Sequence, residues 1–375
     1  MMTKMTKALA ISAMLTTALI PVGAYALCVG GACPPPTNFP CAPTNFNPAN
    51  PAASGYVDVF SDDFTSVGTS TIDLSATGNT GYHWYTKHPF GGGTQPSGDF
   101  SIGSSSELVI TPSSGNNYNQ DAIATAYPNS SAANGEQWIG TAFGGGAYFQ
   151  AVFAFDGPTV VNSGYAGWPA FWSMSVEHWA NVGGDNWPGQ STSPNFTHFI
   201  EDDFFEYDDS SNANFWGSGL WDWSNVYQAS CPTGYQANGF CGILNAGNRQ
   251  GSDNGIDTIL LSNPARSVTW NTTTYHTLGA LWVPGTPANG NIGSREIFFD
   301  GVMAPAQAGS SAINNTTSWT DGTMPLPASL PNSPEIWSIH DKQNVVMVLG
   351  SGVSQPFHIK SVQVWQIPGC GTVVH

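Results

Sequence analysis

The chain has 375 residues, of which 25 are acidic and only 8 are Lys or Arg, so its net charge is −17. Nucleic acids and anionic membranes attract basic surfaces, and an acidic, charge-poor chain is therefore not expected to bind either of them. The length is sufficient for one large domain with its own hydrophobic core.

The first 26 residues are predicted to be a secretory signal peptide. Lys4 and Lys7 form a basic start, residues 8–20 are an apolar run too short to span a membrane, and Ala24-Tyr25-Ala26 matches an A-x-A cleavage site. Cleavage is expected before Leu27, leaving six basic against 25 acidic residues and a net charge of −19. We expect a secreted or periplasmic protein without membrane contact after cleavage.

Residues 27–55 are rich in Pro and Asn and are predicted to be a disulfide-pinned leader or linker. Six cysteines fit an oxidising compartment. Cys231 and Cys241 are close enough in sequence to form a local pair, and a bridge from segment 28–41 to Cys370 would tie the two ends together. Six cysteines allow 15 connectivities, so the sequence leaves the pairing open.

From residue 56 to the end, short apolar and aromatic runs alternate with clusters of Gly, Asn, Ser and Pro. No long stretch with the 3.6-residue period of a helix appears, so the sequence predicts a single all-β domain over residues 56–375, a sandwich or a barrel. The predicted strands lie within residues 57–60, 107–111, 146–155, 170–176, 197–207, 277–283, 296–299, 344–349 and 358–366.

One of these runs carries an unusual cluster of acidic side chains. Five carboxylates occur within eight positions and no Lys or Arg lies among them: Glu201, Asp202, Asp203, Glu206 and Asp208. Like charges held together raise one another's pKa and destabilise a fold. Such a cluster inside an aromatic strand indicates a function.

The spacing predicts a bulged strand that places three of these acids on one face. Strand alternation puts Glu201 and Asp203 on the same face, and a β-bulge at 204–205 brings Glu206 onto that face as well. The Cα atoms of the two glutamates are then about 13 Å apart. Side chains that lean together bring the carboxyls to about 5–6 Å, the separation found in retaining glycosidases. A solvated acidic edge and a calcium site remain open alternatives.

Seven segments in the same order resemble glycoside hydrolase family 16, the group of laminarinases, agarases and carrageenases. The similar segments are Val59-Phe60-Ser61-Asp62-Asp63-Phe64, Ala147-Tyr148-Phe149-Gln150-Ala151, Trp168-Pro169-Ala170-Phe171-Trp172, Glu201-x-Asp203-x-x-Glu206, Tyr275-His276-Thr277 with Trp282, Phe298-Phe299-Asp300-Gly301 and Val362-Gln363-Val364-Trp365-Gln366.

The resemblance implies a concanavalin A-like, two-sheet β-jelly-roll sandwich whose domain hydrolyses polysaccharides. It implies that Glu201 is the nucleophile, Asp203 the assisting acid and Glu206 the general acid/base of a retaining endo-glycosidase. No cofactor and no catalytic metal are expected. Relatives carry a structural calcium ion, but its ligands cannot be identified in this sequence. We expect a monomer whose partner is its polysaccharide substrate.

Asp202 departs from the family pattern, because an apolar residue that points into the sandwich usually stands there. A buried, unpaired carboxylate costs several kcal/mol or stays protonated. The sequence therefore predicts either that this face is open or that the register differs.

Aromatic side chains are the expected substrate platforms, since the apolar faces of sugar rings stack on flat aromatic groups. Trp172 is the first candidate, and Trp168 is as well placed in the core as in the cleft. Phe199 shares a strand face with Glu201 and is expected to line the cleft floor.

Residues 209–265 form a long segment that aligns with nothing in the family pattern, and we predict that it forms a wall of the cleft. Its candidate substrate-binding residues are Trp216, Trp221, Trp223 and Arg249. Two other functions stay open: transglycosylation by the same nucleophile, and non-catalytic carbohydrate binding on the same fold. The sequence does not define the polysaccharide or its linkage.

Overall fold

The structure is a computed structural model of the chain. It describes residues 41–43, 45–65, 68–86, 95–113, 121–129, 137–162, 169–180, 198–207, 216–224, 236–237, 240–244, 270–303, 316–320, 340–350 and 356–375. The segment before Cys41 lies outside this range, so the predicted signal peptide and most of the leader stay predictions.

The described residues form two large, mainly antiparallel sheets. The first sheet has nine strands among the described residues, in the order β18-β17-β16-β10-β21-β5-β4, with β1 paired to β21 and β19 paired to β17. Its strands are β1 (Val57–Asp62), β4 (Phe100–Ile102), β5 (Leu108–Ile110), β10 (Ala147–Phe155), β16 (His276–Val283), β17 (Ile292–Phe299), β18 (Val302–Met303), β19 (Thr316–Thr320) and β21 (Phe357–Gln366).

The second sheet has eleven described strands, in the order β14-β15-β13-β12-β11-β20-β6-β3-β2, with β9 paired to β20 and β22. Its strands are β2 (Ile72–Asp73), β3 (Trp84–Tyr85), β6 (Ala122–Ala124), β9 (Ala142–Gly144), β11 (Ala170–Ser175), β12 (His198–Glu206), β13 (Gly217–Ser224), β14 (Gln236–Ala237), β15 (Phe240–Leu244), β20 (Val345–Gly350) and β22 (Thr372–Val374).

Outside the two sheets, the described residues form a small hairpin, two short α-helices and several short 3₁₀ helices. The hairpin strands and the α-helices are β7 (Ala126–Pro128), β8 (Trp138–Gly140), α1 (Gly157–Asn162) and α2 (Val176–Ala180). Every run predicted from the sequence is a strand, and the predicted two-sheet, all-β sandwich is confirmed. No helix among the described residues is long and apolar enough to cross a membrane.

The main hydrophobic core lies between the two sheets because alternate residues of each strand point inward. Phe149 of the first sheet stacks on Phe204 of the second, with ring centroids 5.1 Å apart. Strand β20 is buried on both faces: Val345, Met347 and Leu349 belong to the main core, whereas the alternate residues Val346 and Val348 pack in a second cluster on the other face. That second cluster is on the face where the acidic residues of β12 lie.

The two ends of the described chain are joined by a disulfide between Cys41 and Cys370, whose Cα atoms are 5.6 Å apart. This is the bridge from segment 28–41 to Cys370 that the sequence suggested. Phe46 follows Cys41 and packs edge-on against Tyr56 and Tyr148 on the outer face of the first sheet. The end of the predicted leader is therefore packed onto the sandwich. The predicted Cys231–Cys241 pair lies outside the part of the chain whose side chains are described.

Candidate active site

Strand β12 contains the predicted bulge. Against β11, Phe171 pairs with Phe205 and the next residue, Trp172, pairs with Asp203, so that Phe204 has no opposite residue. Against β13, the register also shifts between Asp203 and Glu206. One extra residue in β12 therefore re-aims the side chains that follow it.

The bulge places two consecutive aromatic residues in the core. Phe204 and Phe205 are both buried between the sheets. Asp202 also faces this side, because it contacts Arg295 of the first sheet. By alternation, Glu201 and Asp203 face the opposite side, and the bulge adds Glu206 to them.

Asp203 interacts with both glutamates that alternation and the bulge place on this face. The side chains of Asp203 and Glu206 are joined by a hydrogen bond. Asp203 is also close enough to Glu201 for the charge of Glu201 to act on it. Glu201 and Glu206 are partly exposed, whereas Asp203 between them is 3% exposed. The catalytic roles of the three stay predictions.

The pKa of Asp203 lies well above its ordinary value. Burial is the largest cause, and the charges of Glu201 and Asp202 act in the same direction. The hydrogen bond to Glu206 and the charge of Arg295 work against the increase without cancelling it. Asp203 therefore tends to keep its proton, which lowers the number of like charges on this face.

Strand β13 contributes no side chain opposite two of the acids. Gly219 is opposite Asp203 and Gly217 is opposite Glu206 in the register of the two strands. Directly opposite residues of an antiparallel pair point to the same face, and a glycine there presents no side chain. Trp221 is opposite Glu201 and is partly exposed, which suits the predicted substrate-binding role.

Strand β11, on the other side of β12, presents a large side chain opposite Asp203. Trp172 of β11 is opposite Asp203 and is 4% exposed, packed in the second cluster with Met174. The indole of Trp172 is therefore almost fully buried by its neighbours. Its predicted role as a stacking platform stays a prediction.

Phe199 does not form the cleft floor, as was predicted, because another ring covers it. The side chain of Phe199 is 1% exposed, and the imidazole of His178 stacks on it with centroids 3.5 Å apart and an interplanar angle of 10°. His178 belongs to α2, which follows β11 directly. The exposed part of this stack is His178, a residue that the sequence analysis missed.

The anchor of α2 is the buried carboxyl of Glu177. It accepts hydrogen bonds from the backbone N–H of Asn344 (3.1 Å), from Asn344 Nδ2 (2.6 Å) and from Ser175 Oγ (3.0 Å). Burial raises the pKa of Glu177 to about 7. These bonds fix the helix, and with it His178, to Asn344, the residue before β20, and to Ser175 at the end of β11.

The predicted assignment of Trp216 to the cleft is wrong. Trp216 is fully buried between the sheets, where it packs against Phe205 (5.2 Å between centroids) and Phe299 (5.7 Å). An inward position next to two core phenylalanines leaves no surface for a sugar. Three other predicted substrate-binding side chains, those of Trp168, Trp223 and Arg249, lie outside the described part of the chain.

The described residues of the segment predicted to be a cleft wall extend the second sheet, and the wall stays a prediction. Strands β13, β15 and β14 continue the sheet outward from β12 in that order. The other residues of 209–265 lie outside the described part of the chain.

The expected contradiction at Asp202 is resolved by a partner that the sequence analysis did not identify. Asp202 is 1% exposed, so its face of the strand is not open. The register of β12 is nevertheless the predicted one. Arg295 of β17, also fully buried, donates from Nε to Asp202 Oδ1 at 2.5 Å. The buried carboxylate is therefore charge-paired across the two sheets.

His276 and Trp282, which belong to one of the family-like segments, have hydrogen-bond partners within the first sheet and its neighbouring loops. Both lie on β16 of the first sheet; His276 bonds Asp300 (2.9 Å), and Trp282 donates to Asp341 (2.8 Å). Within the described residues, no group of three or more His, Cys, Asp or Glu side chains is arranged to hold a metal ion.

No protein-family model and no curated protein sequence matches the chain. Solved structures with a similar fold include an endo-1,3-β-glucanase from Streptomyces sioyaensis, with 18% identity and a TM-score of 0.43 over 83% of this chain and 96% of that one. The κ-carrageenase from Pseudoalteromonas carrageenovora has 10% identity and a TM-score of 0.40 over 83% and 95% of the two chains.

A third similar structure is a non-specific endo-β-1,3(4)-glucanase from glycoside hydrolase family 16, with 12% identity and a TM-score of 0.33 over 89% of this chain and 100% of that one. It belongs to the family that the sequence motifs resemble. These similarities concern the fold, and the assignment of chemistry depends on the residues of β12.

Proposed function

We propose that the chain is a retaining endo-glycoside hydrolase of family 16 type that cleaves a β-linked polysaccharide. The observation that carries the proposal is the bulge of β12, because it brings Glu206 onto the face that already holds Glu201 and Asp203. A binding protein has no need of two poised acids on one face, whereas a double displacement requires both.

In the first step, the Glu201 carboxylate attacks the anomeric carbon while the carboxyl of Glu206 gives its proton to the glycosidic oxygen. The bond between the anomeric carbon and that oxygen breaks, and a glycosyl ester of Glu201 forms. In the second step, the Glu206 carboxylate takes a proton from water, which attacks the ester and releases Glu201.

Asp203 assists by holding Glu206 in place. Its hydrogen bond to Glu206 orients the acid/base, and its raised pKa keeps the proton between the two carboxyls. A protonated Asp203 also leaves Glu201 as the charged nucleophile beside a neutral neighbour. We propose no metal and no cofactor for this reaction.

The residues opposite the acids on β13 support a sugar substrate. Gly217 and Gly219 contribute no side chain of their own beside the acids, and Trp221 flanks Glu201 with an aromatic ring. We further propose that the protein is exported after removal of residues 1–26 and acts outside the cytoplasm on a neutral or weakly charged polysaccharide.

The test is a reducing-end assay on laminarin, lichenan, agarose, carrageenan and xyloglucan at acidic and neutral pH. We expect new reducing ends from at least one polysaccharide, and Glu201→Gln should lower the rate by about 10³-fold or more, since the nucleophile is lost. The matched control is Glu296→Gln, the same chemical change on β17 of the other sheet, which should keep the wild-type rate.

Two results would contradict the proposal. Tight binding of a polysaccharide without any released product over long incubation indicates a carbohydrate-binding protein. Unchanged activity of Glu201→Gln on the productive substrate removes the nucleophile from the mechanism. Product analysis at high acceptor concentration separates hydrolysis from transglycosylation.

A further inference from the structure

A buried arginine of the first sheet contacts the backbone of the acidic strand in the second. Arg295 is fully buried, and its guanidinium makes contacts with both β12 and β13. Nε donates to Asp202 Oδ1 at 2.5 Å, and Nη2 donates to the backbone carbonyl of Asp203 at 2.8 Å. Nη2 also contacts the hydroxyl of Ser218 and lies 3.5 Å from the carbonyl of Gly219.

These contacts meet at the residue that precedes the bulge. The carbonyl of Asp203 also accepts a hydrogen bond from Ser218 Oγ, at 2.7 Å. The register between β12 and β13 shifts between Asp203 and Glu206, directly after this carbonyl. A bulge interrupts the ladder of backbone hydrogen bonds, so the polar groups around it depend on other partners. Arg295 and Ser218 supply such partners from the core side.

Stability alone does not explain a buried ion pair at this place. Moving two charges out of water costs several kcal/mol each, and well-packed hydrophobic residues are often as stabilising as a buried pair. Asp202 is flanked on the same strand face by Ile200 and Phe204, which are apolar core residues. A third apolar residue at position 202 would satisfy packing, but it would leave the guanidinium without its anchor.

The histidine next to the pair of Asp202 and Arg295 carries no charge. His340 Nε2 is 3.9 Å from Asp202 Oδ2, and the imidazole stacks on Trp282 with centroids 4.2 Å apart. Burial, assisted by the charge of Arg295, lowers the pKa of His340 to about 3, so this histidine is neutral. Among the described residues, the charged pair on the core side of the acidic strand is therefore Asp202 with Arg295.

We propose that Arg295, anchored by Asp202, is a positioning residue for hydrolysis. The pair holds the Asp203 backbone from behind the strand and so fixes the angle at which Asp203 and Glu206 project into the cleft. This inference depends on the proposed function. Small displacements of catalytic groups reduce rates strongly, because the reacting atoms must be aligned to within fractions of an ångström.

The central experiment compares Arg295→Lys with wild type on the productive polysaccharide. Lysine keeps the positive charge beside Asp202 but lacks the planar fork that reaches Asp202 and the Asp203 carbonyl together. We expect kcat to fall about tenfold or more with KM within about twofold, after correction for the folded fraction by circular dichroism. A wild-type kcat for the folded Arg295→Lys protein would overturn the proposal.

A second variant, Asp202→Leu/Arg295→Met, separates positioning from folding. Replacing the pair by apolar residues should restore the melting temperature relative to either single variant, because no unpaired charge is left in the core. Its kcat should stay about tenfold or more below wild type, since the contacts to the Asp203 carbonyl are gone. A stable double variant with wild-type kcat would show that the pair serves folding alone.

A third variant, Ser218→Ala, removes the other donor to the same carbonyl. We expect a smaller loss of kcat with unchanged KM, because Arg295 still contacts the carbonyl; equal kcat in wild type and Ser218→Ala would limit positioning to the arginine.

Failure of the proposed function gives a different result from failure of this inference. In the first case wild type hydrolyses none of the polysaccharides, and in the second it is active and Arg295→Lys equals it.

Discussion

The two faces of β12 treat the same kind of side chain in opposite ways. On the core face, Asp202 is paired with a buried arginine that neutralises it. On the opposite face, Glu201, Asp203 and Glu206 lie beside one another, and burial, followed by the charges of Glu201 and Asp202, raises the pKa of Asp203. A carboxylate that is paired with a cation has a structural role. Carboxylates that are clustered together have the shifted pKa values that acid–base catalysis uses.

The bulge makes this difference possible within nine residues. Two consecutive aromatic residues, Phe204 and Phe205, pack into the core, so that the next residue, Glu206, emerges on the cleft face. In a regular strand Glu206 would alternate into the sandwich beside Asp202. The core packing of the two phenylalanines and the aim of Glu206 are therefore one structural feature.

The strongest way to break the comparison is to remove the acid from the cleft face. Glu206→Gln should lower kcat/KM on the natural polysaccharide by about 10²–10⁴-fold, because no proton reaches the leaving oxygen. The loss should be much smaller on an aryl glycoside whose leaving group needs no proton. The measurement is kcat/KM on both substrates, with Glu296→Gln as the control. Equal losses on both substrates would contradict the acid/base role.

The packing on the core face of β12 can be tested by a substitution in the bulge. Phe205 packs against Phe153 (4.9 Å between centroids), Trp216 and Trp270. Phe205→Ala should lower the free energy of unfolding by about 3–5 kcal/mol, because it leaves a large cavity. Urea unfolding measures this, and the exposed Val57→Ala should change the stability by about 0.5 kcal/mol or less. A mild effect at Phe205 would show that the bulge is not held by the core.

The smallest effect concerns the proton on Asp203 and appears as a pH dependence. The folded pKa of Asp203 is above its ordinary value of 3.8, so the folded state binds this proton more tightly than the unfolded state does. The stability that it contributes is fully present below about pH 4 and is lost as the pH rises through the folded pKa. Asparagine cannot ionise, so Asp203→Asn should lack this loss.

The melting temperature of Asp203→Asn minus that of wild type should therefore increase from acidic to neutral pH. The other groups around Asp203, namely Glu201, Asp202, Glu206, Arg295 and His340, are present in both proteins, so their direct contributions largely cancel. Calorimetry at several pH values between about 3.5 and 8 measures the difference. A difference that decreases with pH would contradict the raised pKa.

Local sequence patterns were enough to predict the acidic strand. The spacing of Glu201, Asp203 and Glu206 in an aromatic run requires a bulge if all three are to share a face, and the structure contains it. The alternation of apolar residues was enough for the strands, and Cys370 pairs with Cys41 from the predicted segment.

Contacts between distant parts of the chain could not be predicted in the same way. Trp216 is buried by Phe299, 83 positions away, and Phe199 is covered by His178. One pattern in the sequence does indicate the pair of Asp202 and Arg295. Arg295 lies on the same inward strand face as Ile297 and Phe299, and Asp202 lies on the same inward face as Ile200. Two inward charges of opposite sign are therefore present in a chain that is poor in charge. Their pairing follows from the cost of burying either one alone.

The most direct test of the proposed site is the distance between the carboxyl carbons of Glu201 and Glu206 in a crystal structure. We expect about 5–6 Å, with both carboxyls on the same side of β12 and Asp203 between them, as a retaining mechanism requires. A separation of about 6.5–9.5 Å would indicate an inverting geometry instead. Glutamates on opposite sides of the sheet would contradict the hydrolase proposal altogether.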